Sequence, residues 1–329
     1  MTAEPMATPE PTASVPADLP AADLLGTIGR TPMVELRRLA PPGGARLYAK
    51  LEGANPTGSV KDRIALAMVS EARASGALSP GQTILEPSSG NTGISLALVG
   101  RLLGHPVRIV IPDNTTAERE QLLRLYGAEI VPSPGDEGSN GAVRMAERIA
   151  AEDPTLFMPY QYGNEANPRA HEATTGPEIL AQVPDLDVFV AGLGTGGTLT
   201  GVGRFLKRER PGVRVVAAEP LPGERVQGLR SLDEGFVPPV LDASVLDDRF
   251  LVSNRDAVVG VRRLLDDEGI FAGLSCGAAI TVAVRVAREM EGGSVVVLLA
   301  DGGCKYLSTD LWTRDLDELE DDLEGSLLW

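Results

Sequence analysis

Residues 187–205 read DVFVAGLGTGGTLTGVGRF, and this stretch decides the fold. The run DVFVAG at 187–192 has the composition and length of a buried strand. It breaks into the loop LGTGGT, and a helix is predicted from about 198 to 209. Backbone amides in such a loop, together with a helix N-terminus, form a cradle for an anion, phosphate above all. Glycine lets the backbone approach a ligand, and Thr195 and Thr198 add hydroxyl donors. Gly192, Gly194 and Gly197 also satisfy G-x-G-x-x-G, and Glu219 ends the next strand near the spacing of a ribose-binding acid. The motif alone therefore leaves open a nicotinamide dinucleotide, another phosphate-bearing cofactor, or a ligand-free tight turn.

Working outward, the same alternation recurs on both sides. RLYAKL (46–51), TILEP (83–87), VRIVIP (107–112), AEIVPS (128–133), VRVVAAEP (213–220) and SVVVLLAD (294–301) read as strands. Helices are predicted at about 59–75, after SSGNTG at 88–93, and at 115–126, 140–152, 254–268 and 277–290. Val/Ile/Leu runs without alternation indicate strands buried on both faces, hence parallel sheet covered by helices. The expected fold class is α/β, with two open, mostly parallel twisted-sheet domains and ligand between the carboxyl ends of the strands. The expected division is a disordered leader at 1–20, domains at 21–155 and 156–311 whose early strands are free to cross over, and an acidic tail at 312–329.

Composition narrows the function. With 46 acidic against 30 basic residues and a net charge of −16, the chain repels phosphate backbones and anionic membranes. No apolar run is long enough to span a bilayer, and the leader, with five prolines and no basic residue, lacks the pattern of a secretory signal. Two cysteines, Cys276 and Cys304, and two histidines, His105 and His171, suggest neither a disulfide framework nor a metal site. A reduced cytoplasmic setting is expected.

Three further segments carry chemistry. NPTGSVKDR (55–63) places Lys61, one of four lysines in the chain, in a Gly/Ser turn that opens a helix. An ammonium near a helix N-terminus is electrostatically disfavoured, which suits an amine that forms a Schiff base; a solvated lysine paired with Asp62 is the plainer alternative. SSGNTG clusters hydroxyl, amide and backbone donors suited to a carboxylate, or to a simple helix cap. GLSCGA (273–278) offers Ser275 as a cap or as a partner for a heterocyclic nitrogen, and Cys276 as a packing residue without an activating base.

Together, NPTGSVKDR, EPSSGNTGISLA (86–97), YQYGNEANPRAHEATTGPEI (160–179), GLGTGGT (192–198) and GIFAGLSCGA (269–278) resemble, in order, the cysteine synthases. These are pyridoxal-phosphate enzymes of fold type II, the tryptophan synthase β-like fold. The resemblance runs from about Leu24 through the last strand and implies roles by position. Lys61 would hold pyridoxal 5′-phosphate and move the α-proton, and Asn91 would bond the ring hydroxyl. Gly194, Thr195, Gly196, Gly197 and Thr198 would bind the phosphate, with Ser275 facing the pyridine nitrogen. Ser88, Ser89, Gly90, Thr92 and Gln161 would hold the substrate carboxylate. A serine does not keep the ring nitrogen protonated, and the weaker electron sink favours β-replacement over transamination or racemisation.

AAEPLPGERVQGLRSLDEGFVP (217–238) and KYLST (305–309) before an acidic tail ending in LEGSLLW look most like the O-phosphoserine-dependent branch. In that branch Arg230 would select the phosphoryl leaving group, and sulfur would come from a thiocarboxylated small carrier protein. The alternative is that Arg230 pairs with Asp233 or Glu234. Leu316, Leu319 and Leu323 share one helical face of the tail, which in this branch folds over the active site. The resemblance also implies a homodimer. Cystathionine synthase, threonine dehydratase and diaminopropionate synthase chemistry share Lys61 and the glycine loop. A nicotinamide oxidoreductase would leave Lys61 and SSGNTG without roles, and a non-catalytic binder would have no use for Lys61.

Overall fold

The computed structural model describes residues 21–88, 90–224 and 226–317. The expectations for the leader 1–20, for Ser89, and for Leu319, Leu323 and the end of the tail lie outside the described residues.

Two sheets organise the chain. The larger runs in the order β1 (Met33–Glu35), β2 (Arg46–Leu51), β9 (Ser294–Leu299), β6 (Val188–Gly192), β7 (Arg214–Pro220) and β8 (Asp248–Val252). Every neighbouring pair is parallel except β1 and β2. The smaller sheet holds β3 (Ile84–Pro87), β4 (Val107–Pro112) and β5 (Glu129–Ser133), all parallel. β1 and β2 precede the small sheet in sequence yet belong to the large one.

The apolar runs explain this arrangement, because each central strand is packed on both faces. Val188 and Val190 of β6 pack on one side with α8 (Asn254–Glu268) and α9 (Leu274–Glu289). Phe189 and Ala191 pack on the other with α6 (Gly176–Gln182) and α7 (Gly197–Glu209). In the small sheet, Ile84 and Ile109 meet α1 (Lys61–Ser75) and α2 (Asn91–Leu103), while Leu85 and Val110 meet Ala142 and Ala146 of α4 (Gly138–Glu152). Each fully buried Val, Leu or Ile contributes about 1.5–3 kcal/mol, so the sheet direction is fixed by these residues more than by local propensity.

Three elements differ from the sequence-based expectation. β1 is three residues long, and β8 alternates half-buried and exposed positions because it forms a sheet edge. Residues 166–182 form one rod: α5 (Ala166–Ala170), a single π-helical turn at His171–Thr175, then α6. Pro168, Gly176 and Pro177 disguise this helix in the sequence; the π turn sits just before Pro177, where a missing N–H would interrupt an α-helical ladder.

Buried ionic groups lock the crossing points between the two sheets. Arg63 of α1 bonds Glu52, after β2, at 2.7 Å and Glu178 of α6 at 2.8 Å, and Lys50 joins the same Glu178 at 2.8 Å. Burial alone would raise the Glu178 carboxyl, but Arg63 and Lys50 hold it down at about 2. This network roots the start of α1, and with it Lys61.

Glu86, at the carboxyl end of β3, is fully buried and accepts the amides of Tyr160 (2.8 Å) and Gln161 (2.9 Å). It thereby holds Tyr160 at φ 57°, a conformation uncommon outside glycine. Burial pushes the Glu86 carboxyl up to about 7 against the opposing pull of the two amides. Between the ordinary carboxylate value near 4.5 and about 7, the folded protein binds a proton that the unfolded chain has lost. Stability from this group is therefore complete below that window and declines as pH rises through it. Urea unfolding at pH 5 and pH 7.5 should show a wild-type decline on the order of a few kcal/mol larger than that of Glu86→Gln. Equal declines in the two proteins would place the titration elsewhere.

Candidate active site

The cleft between the sheets is lined where strands end: Ser88 after β3, the loop after Gly192 of β6, Pro220 of β7 and Ala300 after β9. It brings together Lys61, Ser88, Gly90, Asn91, Thr92, Gln161, Gly194, Thr195, Gly196, Thr198, Arg230 and Ser275. Gly197 lies beneath the loop, against Asn167, rather than on the cleft wall.

Lys61 is the first residue of α1. Its amine makes no hydrogen bond or ion pair among the described residues. Burial lowers its pKa, with Asp301 and Glu52 opposing and Lys305 reinforcing the fall. The alternative pairing with Asp62 is absent: the Asp62 carboxylate takes the Thr57 amide at 2.7 Å, the Ser95 hydroxyl at 2.6 Å and the Thr57 hydroxyl. Asp62 thus shapes the turn that presents Lys61 and leaves the amine a candidate nucleophile.

The glycine loop fits a phosphate group. The amides of Gly194, Thr195 and Gly196 find no protein acceptor among the described residues, and α7 begins directly after them. Gly196 adopts φ 82°, and a Cβ on Gly194 would sit 2.5 Å from the Gly228 carbonyl, so the loop tolerates no larger residue at either position. Thr195 Oγ1 accepts from Asn167 Nδ2 (3.1 Å) and from the Gly197 amide (3.2 Å), leaving its hydroxyl hydrogen for a ligand. Thr198 Oγ1 lies 3.2 Å from His171 Nε2. Burial, with the charges of Arg63 and Lys61, keeps His171 well below its ordinary pKa and therefore neutral.

Opposite, Ser88 Oγ accepts the amides of Gly93 (3.0 Å) and Gly90 (3.3 Å), and Thr92 Oγ1 donates to Gln161 Oε1 at 2.6 Å. Asn167 Nδ2 also donates to the Gln161 carbonyl at 2.9 Å, so one side chain couples this loop to the glycine loop. Ser275, near the N-terminus of α9, faces the cleft with no hydrogen bond to described residues. A phosphate cradle, an unpaired amine and an unpaired hydroxyl in one cleft match the phosphate, aldehyde and ring nitrogen of pyridoxal phosphate. Cys276 points the other way, buried against Asp301, with burial pushing its thiol up to about 12 and leaving it inert. Cys304 is exposed, so packing does not account for it. Glu219 does not line the cleft; it is buried and accepts the Leu232 amide at 3.1 Å, which removes the ribose acid that a nicotinamide ligand would use.

Arg230 is seated between aromatic rings, its guanidinium carbon 4.7 Å from the Tyr162 centroid and 4.8 Å from that of Phe236. It donates to Asn140 Oδ1 at 3.0 Å and to the Tyr162 hydroxyl at 3.3 Å. Asp233 faces Arg249 at 3.7 Å instead. Sequence reasoning missed His171, Asn167, Asn140, Tyr162, Arg119, Asp301 and Lys305. Three of them lie inside the quoted stretch 160–179, whose ordered polar residues were the available signal. Arg119 stacks 4.6 Å from the Tyr306 ring and donates to Gln227 at 2.8 Å, a contact between distant segments with no local signature.

Comparison with known proteins agrees with this geometry. The family model for pyridoxal-phosphate dependent enzymes matches residues 24–302. A cysteine synthase of Staphylococcus aureus is 44% identical over 309 residues, covering 91% of this chain and 99% of the relative. The structure of O-ureido-L-serine synthase superposes with a TM-score of 0.84 at 43% identity, covering 91% of this chain and 99% of that one. A hydrogen sulfide-producing enzyme from Fusobacterium nucleatum follows at TM-score 0.83 and 36% identity, covering 87% and 99%. With these likenesses over most of its length and a cleft built for the cofactor, the chain belongs to the pyridoxal-phosphate-dependent enzymes of fold type II and, within them, to the cysteine synthase family.

Proposed function

We propose that the protein makes L-cysteine by replacing the phosphate on the β-carbon of O-phosphoserine with sulfur, the Cβ–O bond breaking and phosphate leaving. The observation that carries the phosphoryl preference is Arg230, a guanidinium on the cleft wall held by two rings and two neutral oxygens, with Asp233 turned to Arg249 instead.

Bound pyridoxal phosphate supplies the electron sink for chemistry at the substrate α-carbon. Lys61 would hold the cofactor through its aldehyde and would take the substrate α-proton with its free amine. Burial lowers the pKa of the Lys61 amine against the opposing charges of Asp301 and Glu52, which favours the neutral form that both tasks require. Gly194, Thr195 and Gly196 bind the phosphate through unpaired amides and the Thr195 hydroxyl, with Gly197 supporting the loop from beneath. Ser275 meets the ring nitrogen without a negative charge and so leaves it unprotonated. Ser88, Ser89, Gly90, Thr92 and Gln161 hold the substrate carboxylate, with Gln161 anchored from behind by Glu86. Arg230 draws off the phosphate as its bond to the β-carbon breaks; a bidentate charge-assisted contact suits that group.

The proposed sulfur donor is the thiocarboxylated C-terminus of a small carrier protein, and the proposed assembly is a cytoplasmic homodimer. The donor rests on the likeness of residues 217–238 and 305–309 to the phosphoserine branch, the dimer on the family resemblance and the cytoplasmic setting on the scarcity of cysteine. A second reading has support from the 43% identity to O-ureido-L-serine synthase: a different leaving group or nucleophile at the same site.

The test is the visible absorption of the holoenzyme during titration with O-phosphoserine and with O-acetylserine, paired with steady-state rates. The phosphoserine response should be the stronger. Arg230→Ala should lower kcat/KM for phosphoserine about 10- to 100-fold, as expected for losing about 1.5–3 kcal/mol of charge-assisted hydrogen bonding. Acetylserine turnover should change little and would show that the variant folds. Equal losses on both substrates, or a stronger acetylserine response in the wild type, would overturn the phosphoserine assignment.

A further inference from the structure

Asn91 is the residue proposed to meet the ring hydroxyl of the cofactor, and its side chain is already gripped from two sides. Its Oδ1 accepts from Lys305 Nζ at 2.7 Å, and its Nδ2 donates to Asp301 Oδ2 at 2.7 Å. Both partners are buried, Lys305 at 4% exposure and Asp301 at 2%. Lys305 spends a second hydrogen on the Gly58 carbonyl at 3.0 Å, in the turn that presents Lys61. The Tyr306 hydroxyl donates to the same Asp301 Oδ2 at 2.7 Å. Thus residues after β9 hold both the Asn91 side chain and the loop carrying the Schiff-base lysine.

The chemistry of these groups allows one orientation of the amide. An ammonium can only donate and an ionised carboxylate can only accept. Turning the Asn91 amide over would set its NH2 against the ammonium and its carbonyl against the carboxylate, so two attractive contacts would become two repulsive ones in a buried setting. In the permitted orientation Nδ2 keeps one N–H beyond the bond to Asp301, and Asn91 lines the cleft. An isolated asparagine would place either end toward the ring at comparable free energy; this one is preset as a donor. A donor matches the ring oxygen in its ionised form.

We infer that Lys305 and Asp301 are positioning residues that fix Asn91 as a hydrogen-bond donor to the ring oxygen of the cofactor and so set the ionisation of that ring. The inference rests on the proposed contact between Asn91 and the ring.

The experiment reads the visible spectrum of the full-length holoenzyme from pH 6 to 9, following the ratio of the ring-phenolate to the ring-phenol band. Asn91→Ala tests the underlying contact and should lower the phenolate fraction severalfold. Lys305→Met, of similar volume but without a donor, should lower it in the same direction, and Lys305→Arg should restore it toward wild type. The double variant Asn91→Ala/Lys305→Met should match Asn91→Ala alone, because Lys305 acts through Asn91. Asp301→Asn, which keeps the volume, is the second route should Lys305→Met not fold, and should shift the ratio as well. A wild-type ratio in Lys305→Met or in Asp301→Asn, with a shifted Asn91→Ala, would overturn the inference while leaving the Asn91 contact intact. An unshifted Asn91→Ala would overturn the contact itself. Additive effects in the double variant would assign Lys305 a merely structural part.

Discussion

A half-buried amine on the cleft wall, with no acid bonded to it among the described residues, is the constraint on which the rest of the structure depends. A lysine at Lys61 would ordinarily keep its charge and its water, and transfer of an unpaired ammonium to a protein interior is strongly unfavourable. The surrounding chain resolves this by withdrawing the nearby acids. Asp62 is saturated by Thr57 and Ser95, Glu52 is paired with Arg63, and the Asp301 carboxylate is engaged by Asn91 and Tyr306. Each of these acids adjoins Lys61 in sequence or acts on it electrostatically, yet none is bonded to it. The amine's pKa is thereby lowered toward the neutral form, which is the form that captures an aldehyde.

The two sheets serve the same end by geometry. A parallel sheet directs all its carboxyl-end loops to one side, and two such sheets facing across a cleft converge five loops on one small volume. The phosphate loop and Ser275 come from the large sheet's side, while Lys61 and the SSGNTG loop come from the small sheet's side. Asn167, Glu86, Arg230 and the Lys305–Asn91–Asp301 cluster span the gap. These polar bridges join the two sides of the cleft.

Much of this was legible in the sequence, and the limits have physical causes. The central strands announced themselves as unbroken apolar runs because both faces are buried, and RLYAKL was placed to the residue. β8 was invisible because an edge strand alternates, and the rod at 166–182 because its prolines and glycine mimic a loop while a π turn absorbs them. The glycine loop, Lys61 and SSGNTG carry local signatures in the sequence, and the structure sets Lys61, Ser88, Gly90 and the glycine loop in one cleft. Lys305, Asp301, Arg119 and Asn140 make their contacts with residues far away along the chain. Their partners are decided by topology, so no pattern at their own positions could reveal them. Lys305 was counted among the scarce lysines and still left without a role.

The most direct test of the account is the location of the Schiff base. The holoenzyme is reduced with borohydride and digested, and the cofactor-bearing peptide is mapped across the four lysines, Lys50, Lys61, Lys207 and Lys305. The account predicts that the cofactor is fixed to Lys61 alone. Attachment to Lys305 or Lys50, or a reduced protein with no fixed cofactor, would contradict it.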